Sequence, residues 1–184
     1  MDDRKLNVSK LDAARRQLDC AIELWFLNKD DVCIHTLTAA AYQIIHDINQ
    51  KKGGVRDLLY DSAVIKDEYR SMWIATIKRP VNFFKHADND SEDIIEFRPF
   101  SSLLFMLFSL LGLGAIGEQT NDVEDALTTW IALNEPNLVR ENYRKLLAKS
   151  ISVNALTHLR TISKGEFLKA YVRGRAEVRA NNLF

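Results

Sequence analysis

Arginine and histidine side chains stand at the two ends of one short segment in the middle of the chain, Arg79 to His86. A histidine titrates near neutrality, so it can move the proton of a ribose 2′-hydroxyl or of a leaving oxygen. An arginine can hold the phosphate and stabilise the charge that develops on it. Such a pair can cleave RNA without a metal ion. Asn82 could orient the imidazole or a phosphate oxygen, and Lys78 and Lys85 would attract the phosphate backbone.

A purely structural interpretation of the same segment stays open. Arg79 can be a cation near a helix C-terminus, where it faces the negative end of the helix dipole, and His86 can be another polar residue of that terminus. The catalytic interpretation requires both side chains to reach one anion, and we expect Pro80 to bend the chain so that they do.

The histidines are also candidate metal ligands: His35, His46, His86 and His158. His35 and His46 fall on nearly the same helix face but about 16 Å apart along the axis, so they cannot share one ion. His46 with Asp47 resembles the paired ligands of helical metal phosphohydrolases, and His86 with Asp88 could add ligands from another helix. Adjacent helical residues point about 100° apart, which favours core or interface histidines instead. We therefore predict no metal and no cofactor.

The N-terminal half has the pattern of a helical hairpin. Ser9 and Asp12 resemble a capping box, and apolar residues then recur at helical spacing to about Leu27. The polar turn 28–31 offers an aspartate that can cap a second helix, which the glycines near 53 end. A third helix is predicted from Asp61 to Lys78, stopped by Pro80, which can itself begin a short helix through His86.

The segment 99–117 is the most apolar of the chain. It reaches only the lower limit for crossing a bilayer, and its flanks offer Arg98 and Glu118 rather than a basic cluster. We predict a buried central helix there and no membrane contact. Further helices are expected at about 120–134, 136–149 and 152–162, with a last one after a capping box formed by Ser163 and Glu166.

The charges are unevenly spread over a chain whose formal net charge is zero. From Arg140 to the end, six Arg and four Lys against three Glu give +7, so residues 1–139 carry −7. The basic helices of 136–184, with Lys169 and Arg173, are therefore predicted to hold phosphate. The alternative is that they dock on the acidic half of the chain or on a second subunit.

Composition favours helices and one domain over residues 1–184. Apolar residues make up 47% and charged residues 27%, and seven Gly and three Pro are too few for a many-stranded fold. The predicted class is an all-α, up-down bundle of about six to nine helices around an apolar central helix. Two cysteines and a charged N-terminus predict a cytoplasmic protein. The sequence contains neither a Gly-x4-Gly-Lys-Ser/Thr phosphate loop nor a Gly-x-Ser-x-Gly turn, which excludes those two mechanisms.

The Arg-x6-His spacing and the opening hairpin together resemble the HEPN superfamily of helical nucleotide-binding domains, over residues 10–90. The resemblance implies that Arg79 and His86 are paired catalytic residues, with Asn82 as an accessory group. It also implies a homodimer whose two motifs face one cleft, and metal-independent ribonuclease activity of the kind found in toxin–antitoxin or defence systems, where an antitoxin-like protein partner is possible. The alternatives are a non-enzymatic interaction or dimerisation module and, third, a metal-dependent phosphohydrolase.

Overall fold

The structure, a computed structural model, describes residues 4–54, 57–88 and 90–181. Within these ranges every regular element is a helix, as predicted, and the all-α class is confirmed. The elements are α1 (Lys10–Phe26), α2 (Asp31–Lys51), α3 (Asp67–Phe83), α4 (Phe100–Ala115), α5 (Asp122–Asn134), a 3-10 turn (Pro136–Leu138), α6 (Glu141–Ser150), α7 (Val153–Thr161) and α8 (Lys164–Ala180).

Side chains just before the helices determine where α1 and α2 begin. Ser9 Oγ accepts a hydrogen bond from the backbone N–H of Asp12 at 3.1 Å, and the Asp12 carboxylate accepts one from the Ser9 N–H at 3.2 Å. Asp30 Oδ1 accepts from the N–H groups of Val32 and Cys33, both at 3.0 Å. These bonds satisfy donors that the first turn of a helix leaves free. Both predicted N-termini are confirmed.

The contacts divide the chain into two compact units. Unit 1 comprises residues 1–21 and 30–119, and unit 2 comprises residues 22–29 and 120–184. The prediction of a single domain stays a prediction.

Unit 1 is built on the packing of α2 along α4. Tyr42 and Phe105, one from each helix, are at most 1% exposed and lie 5.3 Å apart between ring centroids. The predicted apolar helix 99–117 is therefore α4, with Leu103, Met106 and Leu113 buried beside Phe105. Among the described helices, none is both long enough and apolar enough to span a bilayer.

Two glycines of α4 provide a matched test of this packing. A Cβ on Gly112 would lie 2.8 Å from Cγ2 of Ile45, whereas a Cβ on Gly114 would meet nothing within 4 Å. Ile45 is β-branched and stiff in a helix, so it cannot move away cheaply. We expect Gly112→Ala to lower the free energy of unfolding by about 1–3 kcal/mol. Gly114→Ala should raise it by up to about 1 kcal/mol, because alanine favours the helix. Urea unfolding measures both, and equal effects would contradict the close approach of α2 and α4.

The third helix begins six residues later than predicted, at Asp67 rather than Asp61. The preceding segment, Asp57–Lys66, is irregular, and long-range hydrogen bonds hold it in place. Trp73 Nε1 donates to the Leu59 carbonyl at 2.8 Å, Arg70 Nη2 donates to the Ile65 carbonyl at 2.9 Å, and the Tyr60 N–H donates to Tyr42 Oη at 3.1 Å. These side chains satisfy backbone groups that a helix would have satisfied internally.

The predicted break at Pro80 was wrong, because α3 continues through this residue to Phe83. Proline lacks the N–H that would bond to the carbonyl of Thr76, at a cost of about 3 kcal/mol or more in a helix interior. Thr76 is exposed, so water can reach that carbonyl. Val81 is buried in the core cluster and Ile77 packs against that cluster. Burial of these residues offsets the lost hydrogen bond.

Unit 2 has its own aromatic and ionic contacts. The rings of Phe26 and Phe167 stack with centroids 5.8 Å apart, and Lys164 Nζ lies 3.6 Å from the centroid of Trp25. Arg179 donates to the Asp122 carboxylate at the start of α5, and this hydrogen bond lowers the pKa of Asp122.

Candidate functional site

Two of the three predicted catalytic residues, Arg79 and Asn82, lie on α3, and the third, His86, lies three residues beyond the last helical residue, Phe83. Arg79 and Asn82 occupy helical positions i and i+3, and the His86 N–H donates to the Asn82 carbonyl at 3.0 Å. Residues at this spacing share a helix face. All three are exposed, and within the described residues no carboxylate lies within 4 Å of the Arg79 guanidinium. The continuous helix, and not a bend, places Arg79 and Asn82 on one face, and His86 lies just beyond the end of that helix.

Arg79 lies on the wall between two open cavities of unit 1. The first has a volume of about 430 Å³, and its lining includes Arg79, Arg98, Glu96 and the aromatic rings of Trp73 and Phe97. The lining of this cavity therefore combines two guanidinium groups with aromatic and apolar side chains. Such a lining suits a ligand with a planar ring and a negative charge.

The second cavity, about 390 Å³ in volume, is lined by Arg79 and Asn82 together with Asp90 and Asp93. Counting formal charges, one arginine against two aspartates gives −1 for this lining. In the first cavity, two arginines against Glu96 give +1. An anion held by Arg79 is therefore favoured on the side of the first cavity. His86 is among the lining residues of neither cavity in the described part of the chain.

The rings of Trp73 and Phe97 form an aromatic wall of the first cavity, and a buried histidine, His35, packs against Phe97. The His35 side chain is fully buried, with its ring centroid 4.8 Å from that of Phe97 and 5.3 Å from that of Phe105. Nδ1 is 3.1 Å from Ser102 Oγ, whereas Nε2 has no hydrogen-bond partner among the described residues. Burial lowers the pKa of His35 to about 4, and the positive charge of Lys85 adds to this effect. His35 is therefore neutral at physiological pH.

His46, the other candidate ligand of α2, is engaged by carboxylates. Its Nε2 lies 2.8 Å from Asp61 Oδ2 and its Nδ1 lies 3.5 Å from Asp47 Oδ1, while Gln50 also donates to Asp61. This network links α2 to the irregular segment that precedes α3. Across the described ranges, no three His, Cys, Asp or Glu side chains are grouped as a metal site would require.

The predicted phosphate-binding residues are dispersed. Lys78 is partly buried, with Nζ 4.7 Å from the centroid of the Tyr60 ring, whereas Lys85 is exposed. Lys169 and Arg173 are exposed on α8 in unit 2, and Arg173 Nε donates to Glu177 at 2.8 Å. The structure thus brings Arg79 and Asn82 to one cavity and leaves the four other cations outside both cavities that Arg79 lines.

Sequence reasoning missed Arg98, Trp73 and Phe97 as parts of the site. The only sequence signal for Arg98 was its position two residues before the most apolar helix. Trp73 and Phe97 carried none, because single aromatic residues in amphipathic segments usually belong to the core.

No family model, no curated protein and no solved structure matches this chain.

Proposed function

We propose that the chain is a HEPN-like helical domain that binds RNA and cleaves it without a metal ion. The observation that carries the proposal is the exposed face of α3 that bears Arg79 and Asn82, with His86 exposed just beyond the end of the helix. Among the described residues, no carboxylate lies within 4 Å of the Arg79 guanidinium. A guanidinium can hold a phosphate through two parallel charge-assisted hydrogen bonds. Arg79 is free to hold a phosphate, and His86 is accessible for proton transfer.

The proposed reaction is attack of a ribose 2′-oxygen on the adjacent phosphorus. The 2′-hydroxyl proton goes to a base, the bond from phosphorus to the 5′-oxygen breaks, and an acid protonates that oxygen. The products are a 2′,3′-cyclic phosphate and a 5′-hydroxyl end. One copy of the segment from Arg79 to His86 carries one imidazole, whereas the reaction uses a base and an acid. A second copy would supply the other imidazole, so the proposal includes a homodimer.

Exposed apolar side chains on α3 support self-association. Met72 is 64% exposed and Tyr69 is 52% exposed, and Met72 lies seven residues before Arg79, on the same helix face. Exposed apolar groups beside a polar site are typical of interaction surfaces. The same observation favours the second candidate function, a dimerisation module without enzymatic activity.

The decisive experiment measures cleavage of labelled single-stranded and hairpin RNAs in the presence of a chelator. We expect Arg79→Ala and His86→Ala each to lower the rate roughly 100-fold, since one acid, base or charge-stabilising group contributes about that much or more. Arg16→Ala is the matched control, because Arg16 is an exposed cation on α1 outside the α3 face.

The ends of the products and the size of the protein complete this test. Cyclic phosphate ends that form in chelator and disappear with both substitutions would support the mechanism. Intact RNA with wild type and variants alike would refute the nuclease. If light scattering then shows a dimer that Met72→Glu dissociates, the interaction module is the better description.

A further inference from the structure

We propose that the first cavity binds one unstacked nucleotide, with the base against the aromatic wall and the phosphate between Arg79 and Arg98. The inference deepens the proposed function, and it rests on that function for the source of the nucleotide, which is single-stranded RNA. The cavity, about 430 Å³ in volume, is within the usual range of small-ligand pockets, about 300–1,000 Å³.

The aromatic wall is held in a fixed orientation before any ligand arrives. The Trp73 indole donates from Nε1 to the Leu59 carbonyl at 2.8 Å, which fixes its ring. The Phe97 ring packs edge-on against the buried imidazole of His35 and lies 5.2 Å from the ring of Phe84. Rings that are already ordered lose little entropy when a base stacks on them. Every base has a π-face, so this wall binds a base without selecting its identity.

The charges place the phosphate at the two guanidinium groups. Arg79 and Arg98 are exposed, and neither has a carboxylate within 4 Å in the described part of the chain. Arg98 lies two residues before the first residue of α4, whose first turn contains no acidic residue and has no side-chain cap. Ser101 of that turn also lines the cavity. The positive end of the α4 dipole thus adds to the attraction for an anion.

Glu96 supplies a polar group that can form hydrogen bonds with the base. Among the described residues that line this cavity it is the only carboxylate, and a carboxylate can accept hydrogen bonds from amino and ring N–H groups of a base. In duplex RNA those groups are paired and the base faces are stacked. The site therefore requires a base that has left its helix, which makes single-stranded RNA the substrate class.

The test titrates each nucleoside 5′-monophosphate into the intact protein and measures heat and tryptophan fluorescence. We expect nucleotide binding to quench the fluorescence of Trp73. The Trp73→Phe variant retains Trp25 and Trp130, both in unit 2, and its fluorescence should not change when a nucleotide is added. The matching nucleosides, which lack the phosphate, should bind at least roughly tenfold more weakly. Nucleosides that bind as tightly as nucleotides would overturn the phosphate assignment.

A single exposed substitution tests the site without disturbing the core. Arg98→Gln should weaken mononucleotide binding at least roughly tenfold, whereas Arg16→Gln, on α1, should leave it unchanged. A short single-stranded RNA should compete with the mononucleotide, and a blunt duplex of the same sequence should not. Equal binding by wild type and Arg98→Gln, or no detectable binding of any nucleotide, would refute the pocket.

The outcomes separate this inference from the proposed function. Binding of nucleotides with no cleavage of RNA would remove the nuclease and retain the pocket. Cleavage that depends on Arg79 and His86 but not on Arg98, with no nucleotide binding, would remove the pocket and retain the nuclease.

Discussion

Replacing Phe105 with alanine is expected to lower the free energy of unfolding by about 3–5 kcal/mol, the usual cost of deleting a buried ring. Phe105 is 1% exposed, and its ring centroid lies 5.3 Å from those of both His35 and Tyr42. These rings come from α2, so the cavity left by alanine would separate the two helices on which unit 1 is built. Neighbouring rings are constrained on all sides and cannot collapse to fill it.

Phe100→Ala is the control for this prediction. Phe100 is the first residue of the same helix and is 52% exposed, so its removal should cost well under 1 kcal/mol. Urea unfolding followed by circular dichroism compares the two variants. Amide hydrogen exchange of α2 and α4 then shows whether the loss is confined to unit 1. Equal destabilisation by both substitutions would mean that Phe105 is not at the centre of the core.

Acidification is expected to destabilise the protein by about 3 kcal/mol through His35 alone, relative to a variant without an ionisable group at this position. The folded state holds the pKa of His35 at about 4, below the ordinary value of 6.5, because burial disfavours the charged imidazole. At pH values between these two pKa values, His35 is therefore protonated in the unfolded chain and neutral in the folded chain. The contribution of His35 to the free energy of unfolding is fully present above pH 6.5 and falls as the pH drops towards 4. Below pH 4 this contribution changes little.

His35→Gln removes the titration and keeps a side chain that can hydrogen-bond to Ser102. The two proteins should differ in the pH dependence of unfolding, with wild type losing about 3 kcal/mol more than the variant between pH 7 and pH 4. An NMR titration of the wild-type imidazole gives the same information if the variant folds poorly. Parallel pH profiles, or an imidazole that is protonated at pH 6, would contradict the burial of a neutral His35.

These two residues link core stability to the candidate site. Phe105 lines the first cavity, and His35 supports the ring of Phe97 from behind. Protonation of His35 would place an unpaired charge next to three phenylalanine rings, those of Phe84, Phe97 and Phe105. The aromatic wall therefore depends on the imidazole remaining neutral.

Local sequence signals were sufficient for most helices. The capping box at Ser9, the cap at Asp30 and the capping box at Ser163 each act within three or four residues, and each begins a helix where predicted. The apolar run that begins near Phe100 likewise predicts α4, because its composition fits a buried helix whatever surrounds it. The predictions failed at the irregular segment before α3 and at Pro80, where distant residues decide the outcome. The single helix predicted at 136–149 was also wrong, because a 3-10 turn at Pro136–Leu138 precedes α6, which begins at Glu141.

Some features of the candidate site follow from the local sequence, and others follow only from the tertiary structure. The sequence by itself placed Arg79, Asn82 and His86 within one short segment. Helical geometry is enough to align Arg79 with Asn82 once the helix is known to be continuous, whereas His86 lies beyond its end. Only the tertiary structure brings Arg98 and Phe97 to the cavity beside Arg79, and only it buries His35 and engages His46 with Asp61. Helix formation depends on neighbours within about one turn, whereas cavities, desolvation and ion pairs depend on residues that are far apart in the chain and meet through packing.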